Sequence, residues 1–289
     1  PMLRLLPLCV LLLPSVGWAQ GSGGIESWGA DWDGQVSDTP AGRDFVQVAG
    51  GYQHSLALKT DGSIVSWGDD TVGQVSDTPT GNDFAQVEGG TYHSLALKTD
   101  GSIVSWGQNL YGQVSDTPAG NDFVQVAGGR GHSIALKTDG SIAAWGSDAW
   151  SQVSTTPTGN GFVQVTSEGN HSLALKADGS IVAWGWDAFS QVSNTPSGND
   201  FVEVAGGYVH SFARKTDGSL VSWGHDNAGQ VSNTPPGTDF VQIASGHHHC
   251  LALKTDGSIA AWGGNDFRQV GDTPPGGGFL HVAGGGKHS

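Results

Sequence analysis

A Trp-Gly pair recurs at Trp28, Trp67, Trp106, Trp145, Trp184, Trp223 and Trp262, always 39 residues apart. A histidine keeps the same interval at His54, His93, His132, His171, His210, His249 and His288. Asp-Gly pairs keep it too, from Asp61 to Asp256. A fixed period of this size confines the chain to a solenoid, a propeller or an array of one repeated unit. Residues 44–68 show what the unit is. Residues 54–59 alternate large and small side chains, as an extended segment does, and the preceding run 44–49 reads as a further strand leading into Gly50-Gly51. Asp61-Gly62 reads as a two-residue hairpin turn, because glycine accepts the positive φ that such turns require. Residues 63–67 then run back. Helical periodicity is absent, so the unit is a three-strand antiparallel meander. Seven copies suit a closed ring, which hides the edges that an open array would leave unpaired. The expected fold is all-β: a seven-bladed β-propeller of 39-residue repeats, mainly three antiparallel strands per blade.

The repeats fill residues 24–289 without a linker, which makes one domain. Ile25 is equivalent to Ile64, so the repeats open on a third strand. They close with a first strand at 279–283 and the start of a second at His288. Both termini are therefore expected to share the last blade. Seven periods counted from Ile25 overrun Ser289 by the eight residues of LALKTDGS, so the C-terminal repeat is expected to be incomplete, with unpaired backbone beside the gap. Pro1 in place of methionine implies a longer reading frame.

Residues 1–19 have no place in the repeat. A basic start at Arg4, an apolar run and Gly17-Trp-Ala19 read as a secretory signal peptide cleaved after Ala19, with 20–23 as a flexible lead. The protein is expected to be secreted or periplasmic. The apolar run is shorter than the roughly 18 residues of a spanning helix, and no membrane span is expected. Without the leader, Cys250 is the only cysteine, which excludes an intramolecular disulfide. It replaces the serine that follows the histidine in other repeats and reads as a small buried residue. A net charge of −15 argues against nucleic acid or an anionic membrane as partner.

Comparing the copies with one another separates scaffold from site. Positions fixed in every repeat serve the architecture. The tryptophans read as core between blades, and the His-Ser pairs as structural hydrogen bonds, since seven identical nucleophile–base pairs make no active site. The Asp or Asn two residues after each Trp-Gly reads as a loop cap. Two segments vary: one between the glycine pair and the histidine, the other after Trp-Gly. Strand directions place both on the same rim, with the uniform Asp-Gly turns on the other.

Partner-binding candidates on the variable rim are Trp32, Tyr52, Asp69, Tyr92, Tyr111, Trp150, Trp186, Phe189, Tyr208, His225 and Phe267. Aromatic contact area ringed by polar groups is the usual make-up of a protein-binding hot spot. Tyr111, Trp150, Phe189 and Phe267 share one repeat position and could also pack down between blades. Trp32, Trp186 and Tyr52 break the pattern and are the stronger candidates for exposure.

Other signals are slight. Asp31-Trp-Asp33-Gly34 echoes the start of a calcium loop but has no later glutamate. His247-His-His-Cys250 invites a metal, yet adjacent strand residues point to opposite faces, so His249 and Cys250 do not share an ion. No metal, no cofactor and no catalytic residue is expected.

The stretch GGYQHSLALKTDGSIVSWGDDTVGQ resembles the repeat of the regulator of chromosome condensation family, in its short bacterial form. Its Gly-Gly, His-Ser, Leu-Lys, Asp-Gly, Trp-Gly and Gly-Gln elements all match, and the resemblance covers everything after the leader. It implies a seven-bladed propeller. The three-strand form is especially similar to the secreted beta-lactamase inhibitor protein II, in which loops at one end carry the aromatic binding residues. Nuclear members of the family act as exchange factors on a small GTPase and on chromatin. The expectation here is a secreted, monomeric, non-catalytic protein that binds a protein partner through the rim, with an enzyme inhibitor as its sharpest form. A carbohydrate-binding lectin or a cell-surface adhesion module is the alternative. Rim residues that differ from blade to blade favour one large asymmetric partner over a repeated sugar.

Overall fold

The computed structural model describes residues 23–289. The expected signal peptide and all of the lead but Gly23 lie outside them. Among the described residues no helix forms, and 18 strands build six three-stranded antiparallel sheets. In the first sheet β1 (Phe45–Gly50), β2 (His54–Lys59) and β3 (Ile64–Gly68) pair in chain order. The remaining sheets span 84–107, 123–146, 162–185, 201–224 and 240–263. Register is uniform: Ser55 faces Trp67 across β2 and β3, and Ser94 faces Trp106 in the next sheet.

The hairpin differs from the two-residue turn expected. Lys59 N bonds to Ser63 O, and Gly62 N bonds to Lys59 O, so three residues form the loop. Gly62 sits at φ +81°, the left-handed position that ends a three-residue hairpin loop. Asp61 Oδ1 accepts from the Ser63 amide and hydroxyl, and the same pattern recurs at Asp100 and Asp139. The Asp-Gly pair is thus read correctly as a turn, but the side chain of Asp61 and not the backbone alone selects its length.

Neighbouring sheets are joined by three kinds of link, each one repeat long. His54 Nε2 meets Ser94 Oγ at 2.9 Å, and His93 meets Ser133 at 2.8 Å. His210 finds Cys250 Sγ at 3.0 Å, so the cysteine fills the serine's place. Trp67 Nε1 donates to Gln35 O, and Trp106 to Gln74 O. The Gln47 side chain both donates to Val87 O and accepts from Val87 N, completing the backbone pairing of the next first strand. In the fifth sheet Glu203 stands in this place. It keeps the bond from Ile243 N and turns its other oxygen to Arg214, which replaces a leucine of the repeat. The histidines and tryptophans therefore hold the scaffold, as their invariance implies.

Apolar packing is also between sheets. Leu56 and Leu58 of β2 pack with Phe84, Val87, Ala96 and Trp106 of the second sheet. The first strands surround a narrow channel of about 150 Å3.

Residues 23–30 and 277–289 lie between the sixth sheet and the first. Trp28 and Ser289 exchange two backbone hydrogen bonds of 3.0 and 2.9 Å. His249 reaches Ser289, His288 reaches Ser55, and Trp28 Nε1 donates to Gln269 O. These repeat the links found between the other sheets. Six full sheets and a last blade without its central strand were expected; the described residues hold six three-stranded sheets, and between 25–28 and 279–283 only His288 and Ser289 pair with Trp28 and Gly29.

Candidate functional site: one rim of the ring

The two variable segments of each repeat meet on one rim because a backbone bond ties them together. Asp69 N donates to Gln53 O, Gln108 N to Tyr92 O, Trp186 N to Asn170 O and His225 N to Val209 O. Each second segment is then held by its Asp or Asn. Asp70 Oδ1 accepts from Val75 N and Ser76 N, and Asp148 Oδ1 from Val153 N and Ser154 N. These bonds hold both carboxyls below the usual carboxylate range, Ser76 N contributing most at Asp70 and Ser154 N at Asp148. The cap role read from the sequence is the one observed. A buried glutamine closes the loop from beneath: Gln113 Oε1 accepts from Tyr111 N and Gln152 Oε1 from Trp150 N.

On this frame the candidates divide into three groups. The first runs along the outer loops. Trp150 and Trp186 have ring centroids 5.9 Å apart, Trp186 meets Phe189 edge-on at 5.5 Å, and Phe189 meets His225 at 4.3 Å. In the second, Trp32 meets Phe267 at 4.7 Å, and Lys287 Nζ lies 4.5 Å from the Trp32 ring, 4.6 Å from Phe267 and 5.5 Å from Tyr52. Three aromatic faces around one ammonium form a cation–π cage.

The third group closes over the channel mouth. Tyr208 stacks on His247 at 4.8 Å, His247 meets Tyr52 at 4.6 Å, and Tyr52 meets Tyr92 at 5.8 Å. Arg130 Nη1 donates to Tyr208 Oη at 3.1 Å, joining the third repeat to the fifth. His247 Nε2 lies 3.4 Å from Glu168 Oε1. Burial moves both groups toward neutrality: it pushes the Glu168 carboxyl well up, with Glu88 adding to the shift, and pulls His247 down to about 3.

Exposure follows a different order from that expected. Tyr111, Trp150 and Phe189, which could have packed between blades, are 58%, 52% and 39% exposed. Trp32 is 56% exposed, whereas Trp186 and Tyr52 are half-buried in the contacts above. Tyr92, Tyr208, His225 and Phe267 are half-buried as well. Asp69 lies inside its loop: its carboxylate accepts from Thr71 and from Gln74 Nε2, and the residue is buried. It offers no carboxylate to a surface contact. Sequence reasoning passed over Arg130, His247 and Lys287. All three stand in the variable segments, and that was the signal available.

The seven His-Ser and His-Cys contacts lie in the interior, and burial holds His54 and His132 at about 3 and His93 at about 4.

The regulator of chromosome condensation (RCC1) repeat matches five stretches, 45–74, 84–113, 123–149, 201–230 and 240–269, together about half of the chain. Comparison with curated protein sequences finds no match. Among solved structures, Prp20p of Saccharomyces cerevisiae, described with its binding to Gsp1p and histones, is similar at a TM-score of 0.75 and 20% identity, over 94% of this chain and 91% of that one. The same yeast protein bound to Kap60 gives 0.77 at 20% identity, over 94% and 88%. The ectodomain of the Physcomitrella patens receptor kinase CR4 gives 0.70 at 21% identity, over 82% and 68%. At these identities the likeness is one of fold.

Proposed function

The chain belongs to the regulator of chromosome condensation repeat family, and from that premise we propose that it is a non-catalytic binding protein that engages a protein partner through the variable rim. The observation that carries this reading is the set of exposed aromatics, Trp32, Tyr111, Trp150 and Phe189, standing on loops that are rigidly capped from below. Rigid aromatic side chains give contact area at little ordering cost. The set differs from repeat to repeat, which fits one asymmetric partner. Similar propellers that bind proteins, such as Prp20p with Gsp1p and histones, support the reading. Inhibition of an extracellular or periplasmic enzyme is its sharpest form; secretion rests on residues 1–19. We also read 25–28 and 279–289 as parts of a seventh blade, on the strength of the repeated links at Trp28, His249 and His288.

The test uses the chain from Gln20 as bait on the secreted fraction of the source, followed by titration of the captured protein. Trp32→Ala, Trp150→Ala and Tyr111→Ala are each expected to weaken binding by about 1–3 kcal/mol, with thermal stability unchanged. Asp100→Ala, in a turn of the opposite rim, serves as a control and is expected to leave affinity unaltered. Rim variants that bind as tightly as the parent would end the proposal.

A further inference from the structure

Lys287 departs from every other copy of its repeat position, which holds Gln53, Tyr92, Gly131, Asn170, Val209 and His248. Its backbone is placed as theirs is: Ala30 N donates to Lys287 O, as Asp69 N donates to Gln53 O one repeat on. The side chain alone is unusual. Lys59 and Lys98 of the scaffold each lie over one phenylalanine and pair with a carboxylate, Asp44 and Asp83. Lys287 pairs with no carboxylate among the described residues; its ammonium is met by the faces of Trp32, Phe267 and Tyr52 instead. These walls are held by bonds of their own. Asp31 caps the Trp32 loop by accepting from Val36 N and Ser37 N, Phe267 N donates to Gln269 Oε1, and the Tyr52 ring rests on His247. Trp32 and Phe267 stand at 84° to each other, so they form a corner and not a stack. Trp32 has no aromatic counterpart either; Thr71, Leu110 and Ala149 hold its position in the next repeats. The scaffold calls for neither the tryptophan nor the lysine.

We propose that Trp32, Phe267 and Tyr52 form a binding site for a quaternary ammonium ion, a trimethylammonium group carried by a small molecule such as choline or by a methylated lysine, with Lys287 as the occupant that it displaces. A primary ammonium carries three N–H donors, and aromatic faces return little for the water that those donors give up. A quaternary ammonium has no donor to leave unpaired and keeps its attraction to the ring quadrupoles. The cage therefore suits a fully methylated nitrogen better than the lysine that fills it, and the freed Lys287 regains water. Trp32 is more than half exposed, which opens the cage to solvent. Asp33 and Asp266, exposed beside the two wall residues, supply the negative potential that draws a cation in. The site rests on these contacts and not on the reading of the rim as a protein-binding surface.

The experiment is isothermal titration calorimetry of the full chain and of Lys287→Ala with choline chloride and with N-acetyl-trimethyllysine amide. Saturable binding of one equivalent is expected, and the tighter of the two cations identifies the carrier. Lys287→Ala should bind at least about tenfold more tightly than the parent, because no side chain has to leave its cage. The neutral isostere of choline, with carbon in place of nitrogen, should bind at least about tenfold more weakly than choline. Trp32→Ala should abolish binding in either background, while Asp100→Ala should preserve it, with circular dichroism reporting that each variant is folded. Absence of saturable binding, equal binding of the neutral isostere, binding that survives the loss of Trp32, or no gain from Lys287→Ala overturns the proposal. None of these outcomes bears on the rim as a protein-binding surface, which Trp150→Ala and Tyr111→Ala test separately.

Discussion

Glu88 shows how much a single residue can depart from its repeat. In most repeats a small residue, such as Ala49 or Ala127, stands at this point of the first strand, on the channel wall. Burial raises the Glu88 carboxyl to about 7, against the smaller opposing effect of the bond from Gln86 Nε2. A carboxyl raised in the folded state contributes stability that is complete below its unfolded value near 4.5 and is lost as pH rises through 7. Glu88→Gln keeps the bond from Gln86 and removes the charge. Its gain over the parent at pH 8 is expected to be about 3 kcal/mol, falling below about 1 kcal/mol at pH 5, as read by urea denaturation. A variant whose advantage does not change with pH would contradict the assignment. Sequence comparison between repeats made such positions visible as exceptions, yet gave no sign of how they meet. Arg130 and Tyr208 are 78 residues apart, and only curvature of the whole ring brings them together. The burial of Asp69 has a local cause, its bonds from Thr71 and Gln74 within one loop, which the repeat pattern does not single out, whereas the caps, the histidines and the tryptophans recur in every repeat and were legible.

At the scale of the element, the end of the third strand is held by close backbone approach. Gly68 has φ +102°, and a Cβ there would meet Gln53 O at 2.6 Å and His54 Cα at 2.9 Å. Gly159 also has a positive φ, +96°, but a Cβ there would meet nothing within 4 Å. The pair separates two costs. Gly159→Ala should lose only the strain of the left-handed backbone, about 1 kcal/mol. Gly68→Ala adds a clash with backbone that cannot move aside and should cost about 3 kcal/mol or more. Urea denaturation of both variants checks the difference, and equal losses would refute it. The strand pattern and the Trp-Gly ending were readable from the 39-residue period. Turn length was not, because it depends on the Asp61 side chain bonding two positions ahead.

For the whole molecule, the interior histidines set the response to acid. Burial lowers His54, His132 and His249 to about 3 and His93, His171 and His288 to about 4, from 6.5. Groups lowered in the folded state contribute stability that is complete above 6.5 and is lost as pH falls toward those folded values. Each can remove up to about 1.4 kcal/mol per pH unit across that window, and they act together. Cooperative unfolding between pH 6 and 4 is expected by circular dichroism; a ring unchanged at pH 4 would show that the histidines do not carry this linkage. The links that hold these histidines also have a genetic consequence. His54 bonds to a residue 40 positions ahead and Trp67 to one 32 behind, so every copy presents the same donors on one face and the same acceptors on the other. An in-frame duplication of 39 codons would therefore insert a unit that matches both neighbours at birth. Recombination can lengthen such a gene by whole units, with no new contact to be invented, and the near-identical Leu-Lys-Thr-Asp-Gly-Ser in successive copies is the trace that growth of this kind leaves.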